Sequence, residues 1–205
     1  MLQTDAIDPK ILGLIKQLQS IPCLKRFHLV GGTALALYLG HRKSVDIDLF
    51  SITSFDEQML LEILTNETGF TLHFSAKNTI KGSIEGIKTD IIAHRYPLIG
   101  DAISEQDISL VSIPDIIAIK LNDISLSGQR VKDFIDIYFL LDQYPVREML
   151  AFYRKKYSLQ NDTLVLKSLV WFEDADLADW PVMIEEPRLS WSKVRKRLIR
   201  AVKDF

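Results

Sequence analysis

The sequence predicts an α+β fold: a mixed β-sheet flanked by helices, continued by a mainly helical C-terminal part. Three observations carry this. Residues 27–50 read as strand, diglycine turn, short helix and strand. Residues 70–93 hold three strand candidates parted by the turn residues Asn78 and Gly86. From residue 113 onward, apolar side chains recur mostly at helical spacing. The expected division is a sheet core over 1–112 and a helical part over 113–205 packed on it.

In chain order, Asp8-Pro9 opens a first helix, with Asp as N-cap and Pro at the first helical position. Ile11, Leu12, Ile15 and Leu18 share a face, and Pro22 lies just beyond the end. Phe27–Val30 is an apolar run suited to a buried strand, and Gly31-Gly32 follows at once. Thr33 and the apolar stretch 34–39 suit a short helix. In the next strand Val45, Ile47 and Leu49 point one way, and Asp46 and Asp48 the other. Ser54 and Glu57 read as a capping box for a helix with Met59, Leu60, Ile63 and Leu64 on its apolar face, ending near Thr68-Gly69. Strands are expected over 70–75, 79–85, 87–93 and 107–112.

Ser112 caps the next helix, whose stripe is Ile113, Ile116, Ile117 and Ile124. Lys120 falls inside that stripe, so it either snorkels at the rim or is paired or reaches a cavity. Ser127-Gly128 breaks the helix. Phe134, Ile137, Tyr138 and Leu141 then form another apolar face, while Arg130, Asp133 and Asp136 repeat every third residue along neighbouring turns. Residues 146–157 read as a helix, and 164–171 as helix or strand. An acidic segment runs to Glu185-Glu186 and stops at Pro187. The closing helix, 191–205, sets Trp191, Val194, Leu198 and Val202 against Lys193, Arg195, Lys196, Arg197, Arg200 and Lys203. That basic side reads either as a solvated face or as a phosphate-tracking patch for RNA.

Composition excludes several classes. The 205 residues are 47% hydrophobic and 25% charged, which suits a globular chain with a sizeable core. Cys23 is the only cysteine, so neither an intrachain disulfide nor a thiolate metal cluster can form. No run approaches the roughly 18 apolar residues of a membrane span, and the basic-then-apolar pattern of a signal segment is missing near Asp5 and Asp8. A cytoplasmic protein is the expectation. A net charge of −2 gives no global attraction to nucleic acid.

The chemistry concentrates in 31–48. Two glycines allow positive φ and close approach of backbone N–H groups to a ligand. A helix N-terminus beside them favours phosphate. Asp46 and Asp48, two apart on one strand face, lie roughly 6.5–7 Å apart at Cα and can converge on one metal or a metal pair. Two adjacent carboxylates are costly to bury without a cation, and Mg²⁺ prefers such oxygen donors. Asp90, isolated in an apolar strand among Ile87, Ile91 and Ile92, wants a partner; Arg95 or His94 would supply one without any metal.

Gly31-Gly32-Thr33, thirteen residues, then Asp46-Ile47-Asp48 between apolar neighbours resembles the signature of polymerase-β-type nucleotidyltransferases. The fuller string, from Gly31 through Gly40-His41-Arg42-Lys43-Ser44 to Phe50, is similar to the AbiEii/AbiGii toxin family. The resemblance implies a polymerase-β-like fold and transfer of a nucleotide from an NTP to an acceptor. It implies Mg²⁺ on Asp46, Asp48 and Asp90, with Asp90 taking the acceptor's proton. Gly31, Gly32, Thr33, Arg42 and Ser44 would bind the nucleotide, and Lys120 would offset the charge of its triphosphate. The family carries a lysine on one helix and an Arg-Asp-x-x-Asp-like segment on the next; Lys120, Asp133 and Asp136 occupy those places as candidate catalytic residues. Lys132 stands where Arg is commoner, and Arg130 could compensate as a nucleotide contact. A tRNA acceptor, a role in toxin–antitoxin or abortive-infection defence, and a separate antitoxin or its DNA-binding regulator are further implications. A small-molecule or protein acceptor, or a catalytically silent binding module, are the alternatives.

Overall fold

The computed structural model describes residues 1–159 and 161–205. Helix α1 (Pro9–Ser20) starts as its cap foretells, with the Asp8 side chain accepting from the Lys10 N–H, and buries Ile11, Leu14, Ile15 and Leu18. Strand β1 is only His28–Leu29, followed by α2 (Gly31–Leu39) and β2 (Ile47–Ser51). Helix α3 (Glu57–Thr68) is capped by Asp56, whose carboxylate accepts from the Met59 N–H, and not by Ser54. The Glu57 carboxylate, expected to close a capping box, accepts from the Asn78 N–H instead.

Strands β3 (Thr71–Ala76), β4 (Thr79–Ile84) and β5 (Ile87–Ala93) form a meander with turns at Asn78 and Gly86. A hairpin of β6 (Ile103–Glu105) and β7 (Ile108–Leu110) follows; β6 is too short and too polar to announce itself. The seven strands make one mixed sheet ordered β3-β4-β5-β2-β1-β7-β6. The β2–β5 and β1–β7 pairs are parallel and the others antiparallel.

The C-terminal helices are α4 (Ile113–Leu126), α5 (Val131–Leu140), α6 (Val146–Tyr157), the short α7 (Thr163–Ser168) and α8 (Trp191–Lys203). Ser112 caps α4 as expected, accepting from the Asp115 N–H. Helix α4 is the hub of this part, touching α2, α5, α6 and α7. Asp115 at its start is fully buried: its carboxylate accepts from Lys156 Nζ at 2.7 Å, Ser112 Oγ at 2.6 Å and the Ile99 N–H. That cluster pins α6 and the loop after β5 to one point. One apolar core runs through both parts, from Ile15 and Leu18 through Leu29, Leu49 and Ile91 to Ile117, Phe134 and Leu198.

Candidate active site

Register sets the carboxylates. Asp48 lies directly opposite Asp90 on the parallel neighbours β2 and β5, so both side chains project from one face. Asp46 precedes β2 and is half-buried on the same side. Ile47, Leu49 and Ile91, the alternate residues, are fully buried on the other face. Burial raises the Asp48 carboxyl above its ordinary value; Lys88 opposes this, Asp90 adds to it, and Arg130 and Asp46 act more weakly in opposite senses. Asp90 is buried, and its Oδ2 sits 3.5 Å from Lys81 Nζ and 3.6 Å from Lys88 Nζ. Neither Arg95 nor His94 pairs with it, because the lysines arrive across strand register, which sequence spacing conceals. Its Oδ1 is buried without a hydrogen-bond partner.

The diglycine is fitted to this pair. Gly31 has φ of 70°, and a Cβ there would stand 2.6 Å from Asp48 Oδ2. A Cβ on Gly32 would stand 2.5 Å from Arg42 Nη2. Only glycine lets the first turn of α2 lie against both charged groups. Val30, the N-cap, offers no side chain to the helix end, so the leading N–H groups face the cleft with no cap over them. Thr33 is buried; its hydroxyl donates to the Asp46 carbonyl and pairs with Ser44 Oγ at 2.9 Å. It therefore holds the approach to β2.

Behind the cleft lies a buried ionic network. Arg42 grips Asp136 through Nε–Oδ1 at 2.7 Å and Nη2–Oδ2 at 2.9 Å, and His41 Nε2 donates to the same Oδ1 at 2.8 Å. Lys120 Nζ reaches Asp133 at 2.5 Å and Asp136 at 2.8 Å. Burial works against charge on Lys120, but the two carboxylates outweigh it and hold the ammonium above its usual range. Burial likewise opposes the Asp136 charge, and Arg42, Lys120 and His41 pull its carboxyl well below the ordinary value. Lys120 is 1% exposed, so it neither snorkels nor opens onto a cavity. Asp133 connects outward through a 3.6 Å contact with Arg130 Nε.

The cleft itself is lined by Gly32, Thr33, Ser44, Asp46, Asp48 and Arg130, among others. Gly31, Asp90, Lys120, Asp133 and Asp136 lie outside that lining, Asp90 reaching it only through Asp48 beside it; Arg42 belongs to both cleft and network. Its far wall was not legible beforehand. Residues 176–186 return across the mouth: Asp176 N–H bonds Gln129 O, Lys43 N–H bonds Val182 O, and Ile184 and Glu185 both donate to His41 O. Asp179 pairs with Lys132 at 2.7 Å. The enclosed volume is about 120 Å³. That is below the roughly 300–1,000 Å³ of sites that swallow a small ligand whole, so it suits a phosphate chain with the base outside. A larger groove of about 590 Å³, lined by Leu141, Arg147, Arg197 and Arg200, gathers none of these carboxylates.

Asp123 on α4 is pushed up to about 6 by burial and by Asp133, against Lys120 and Arg130, with Asp48 adding a small effect. Its flag in the sequence was its place three residues after Lys120.

The carboxylates fit a divalent cation on two counts: the orphaned Asp90 Oδ1, and an Asp48 carboxylate set against the glycine that leaves it room. Among the described residues no three His, Cys, Asp or Glu side chains are gathered tightly enough to cage an ion. Mg²⁺ seldom uses such a cage; it takes one or two carboxylates and completes its shell with phosphate and water.

Residues 16–103 match the family model described as nucleotidyl transferase AbiEii toxin, Type IV TA system. That span includes the diglycine and all three carboxylates. The chain is 28% identical over 197 residues to the Aquifex aeolicus (strain VF5) protein aq_aa25, itself uncharacterized, covering 93% of each. Its fold is similar to MenT4, a nucleotidyltransferase toxin of Mycobacterium tuberculosis H37Rv, with a TM-score of 0.61 and 14% identity over 96% of this chain and 82% of that one. It is also similar to a candidate nucleotidyltransferase of H. pylori, with a TM-score of 0.56 and 15% identity, covering 94% and 90%. Among the described residues no helix is long and apolar enough to cross a membrane.

Proposed function

We propose, from the premise that residues 16–103 carry the AbiEii nucleotidyltransferase match on a nucleotidyltransferase fold, that this chain moves an NMP from an NTP to an acceptor. The observation that carries the proposal is the opposed pair Asp48 and Asp90, set beside a glycine whose Cβ would strike the Asp48 carboxylate. Asp48 and Asp90 would hold Mg²⁺ there, which would supply positive charge to offset that of the triphosphate. The chain supplies the rest. Backbone N–H groups at the start of α2 bind phosphate oxygens. Arg130, half-exposed at the mouth, meets the same phosphates and is aimed by Asp133. The Asp90 carboxylate takes the proton of the attacking hydroxyl. Lys120 acts at one remove, as a positioning residue that neutralises Asp133 and Asp136 and so fixes both Arg130 and Arg42.

The finer assignment follows the family: a toxin of an abortive-infection pair in the cytoplasm, with tRNA as acceptor and a separate antitoxin as partner. Incubation of the purified protein with each labelled NTP, Mg²⁺ and total RNA tests it. Label should enter RNA with the wild type, and Asp48→Asn should lower incorporation at least about 100-fold. Transfer that survives Asp48→Asn would refute the site; label entering only protein or small molecules would refute the RNA acceptor.

A further inference from the structure

The carboxylate face does not end at β5. Register carries one row across four strands: Phe74 on β3 stands opposite Lys81 on β4, Lys81 opposite Asp90 on β5, and Asp90 opposite Asp48 on β2. Residues directly opposite in a sheet share a face, so Phe74 and Lys81 open onto the surface that holds the carboxylates. Phe74 is 53% exposed, and every residue of β3 is exposed. Lys88 lies two residues before Asp90 on the same side, and both lysines reach out to that one carboxylate. The two ammonium groups balance Asp90 and Asp48, so the face is neutral overall, with its cations set along the approach to the carboxylates.

A bare aromatic ring, a half-buried and an exposed lysine and a reactive pair on one face make an arrangement that suits single-stranded nucleic acid. Phosphates meet the cations, and an unstacked base lies on the ring. A duplex offers no free base face to Phe74. We infer that the face of β3, β4 and β5 bearing Phe74, Lys81 and Lys88 is the floor on which a single-stranded nucleic acid lies, leading its terminal hydroxyl towards Asp90 and Asp48. The inference takes its acceptor chemistry from the nucleotidyl-transfer reading, yet the binding it describes stands apart from transfer. It also moves the nucleic-acid contact away from α8. There Lys193 is paired with Glu186, Arg197 with Asp142 and Arg200 with Asp204, so half of the six basic residues on that side are already matched by carboxylates.

The opposite face provides the control. Leu72 is on the same strand and 42% exposed, but it stands opposite Gly82, on the other side of the sheet beyond a bulge at 72/74. The probe is a 5′-fluorescein RNA of about ten nucleotides, within the roughly 4–16 of single-strand sites, read by anisotropy across a salt series. The same RNA annealed to its complement is run beside it. The wild type should bind the single strand in preference to the duplex. Phe74→Ala should weaken binding at least about fivefold with the salt slope unchanged. Lys81→Ala should lower the slope by about 0.7. Leu72→Ala and Lys196→Ala should match the wild type. Equal losses from Phe74→Ala and Leu72→Ala, an unchanged slope in Lys81→Ala, or no single-strand binding at low salt would each overturn the inference. Labelled-NMP transfer and calorimetry of NTP–Mg²⁺ on the same preparations report separately on nucleotidyl transfer, so the two ideas fail in different ways.

Discussion

Gly31 and Asp48 are the residues on which the site turns. A side chain at 31 must adopt the left-handed backbone region and also displace a carboxylate oxygen 2.6 Å away. Gly31→Ala should cost about 1–3 kcal/mol in denaturant unfolding and remove most transfer activity, because the Asp48 carboxylate has to move. A variant with wild-type stability and activity would show that the close approach is unimportant. Asp123 offers a pH signature. Its folded carboxyl titrates near 6, above the roughly 3.9 of an unfolded one, so the folded chain holds the proton more tightly. Stability contributed by this group is therefore greatest below about 4 and is lost as pH rises to 6. Asp123→Asn removes the penalty. Discounted to about 1 kcal/mol for a side chain still partly in contact with water, the gain is about 2–4 °C in Tm at pH 8, shrinking as pH falls from 6 towards 4. A pH-independent gain, or a loss, would contradict the assignment.

At the scale of elements, the junction of α2, α4 and α5 is held by charge. Arg42 comes from the loop after α2, Lys120 from α4, and Asp133 and Asp136 from α5, with no more than about 2% of any of them exposed. Such a network contributes little against an apolar replacement of the whole set, but losing one member leaves a buried charge uncompensated. Lys120→Met should destabilise the chain by about 3–5 kcal/mol in urea. Weaker NTP binding should accompany it, because Asp133 then no longer aims Arg130. A Lys120→Met variant as stable as the wild type, with only catalysis lost, would instead place the ammonium on the substrate. The helical stripe in the sequence marked Lys120 as out of place. It could not name the partners, because they lie on the next helix and their distance depends on how α4 and α5 cross.

Across the whole molecule, what was legible followed local chemistry. Asp8-Pro9 and Ser112 set their helix starts, the alternation of 47–49 set the carboxylate face, and the meander of 70–93 fell into place from its turns; β2 begins only at Ile47, which leaves Val45 exposed instead of beside Ile47 and Leu49. What was hidden is non-local. The cap of α3 slipped from Ser54 to Asp56 because Glu57 is drawn to the Asn78 backbone. Asp90 meets Lys81 and Lys88 through strand register, and residues 176–186 close the cleft by bonding to 41–43 and 129. The acidic character of that last segment reads as a run in sequence, but in the fold Asp179 is spent on Lys132 at the mouth. The central claim is that the opposed carboxylates seat a divalent cation and a triphosphate beside the diglycine. Crystals soaked with Mn²⁺ and a non-hydrolysable NTP analogue test it by anomalous diffraction. The account predicts a manganese peak within bonding distance of Asp48 and Asp90, with the triphosphate running along the first turn of α2. Manganese absent from these carboxylates, with the triphosphate bound elsewhere, would contradict it.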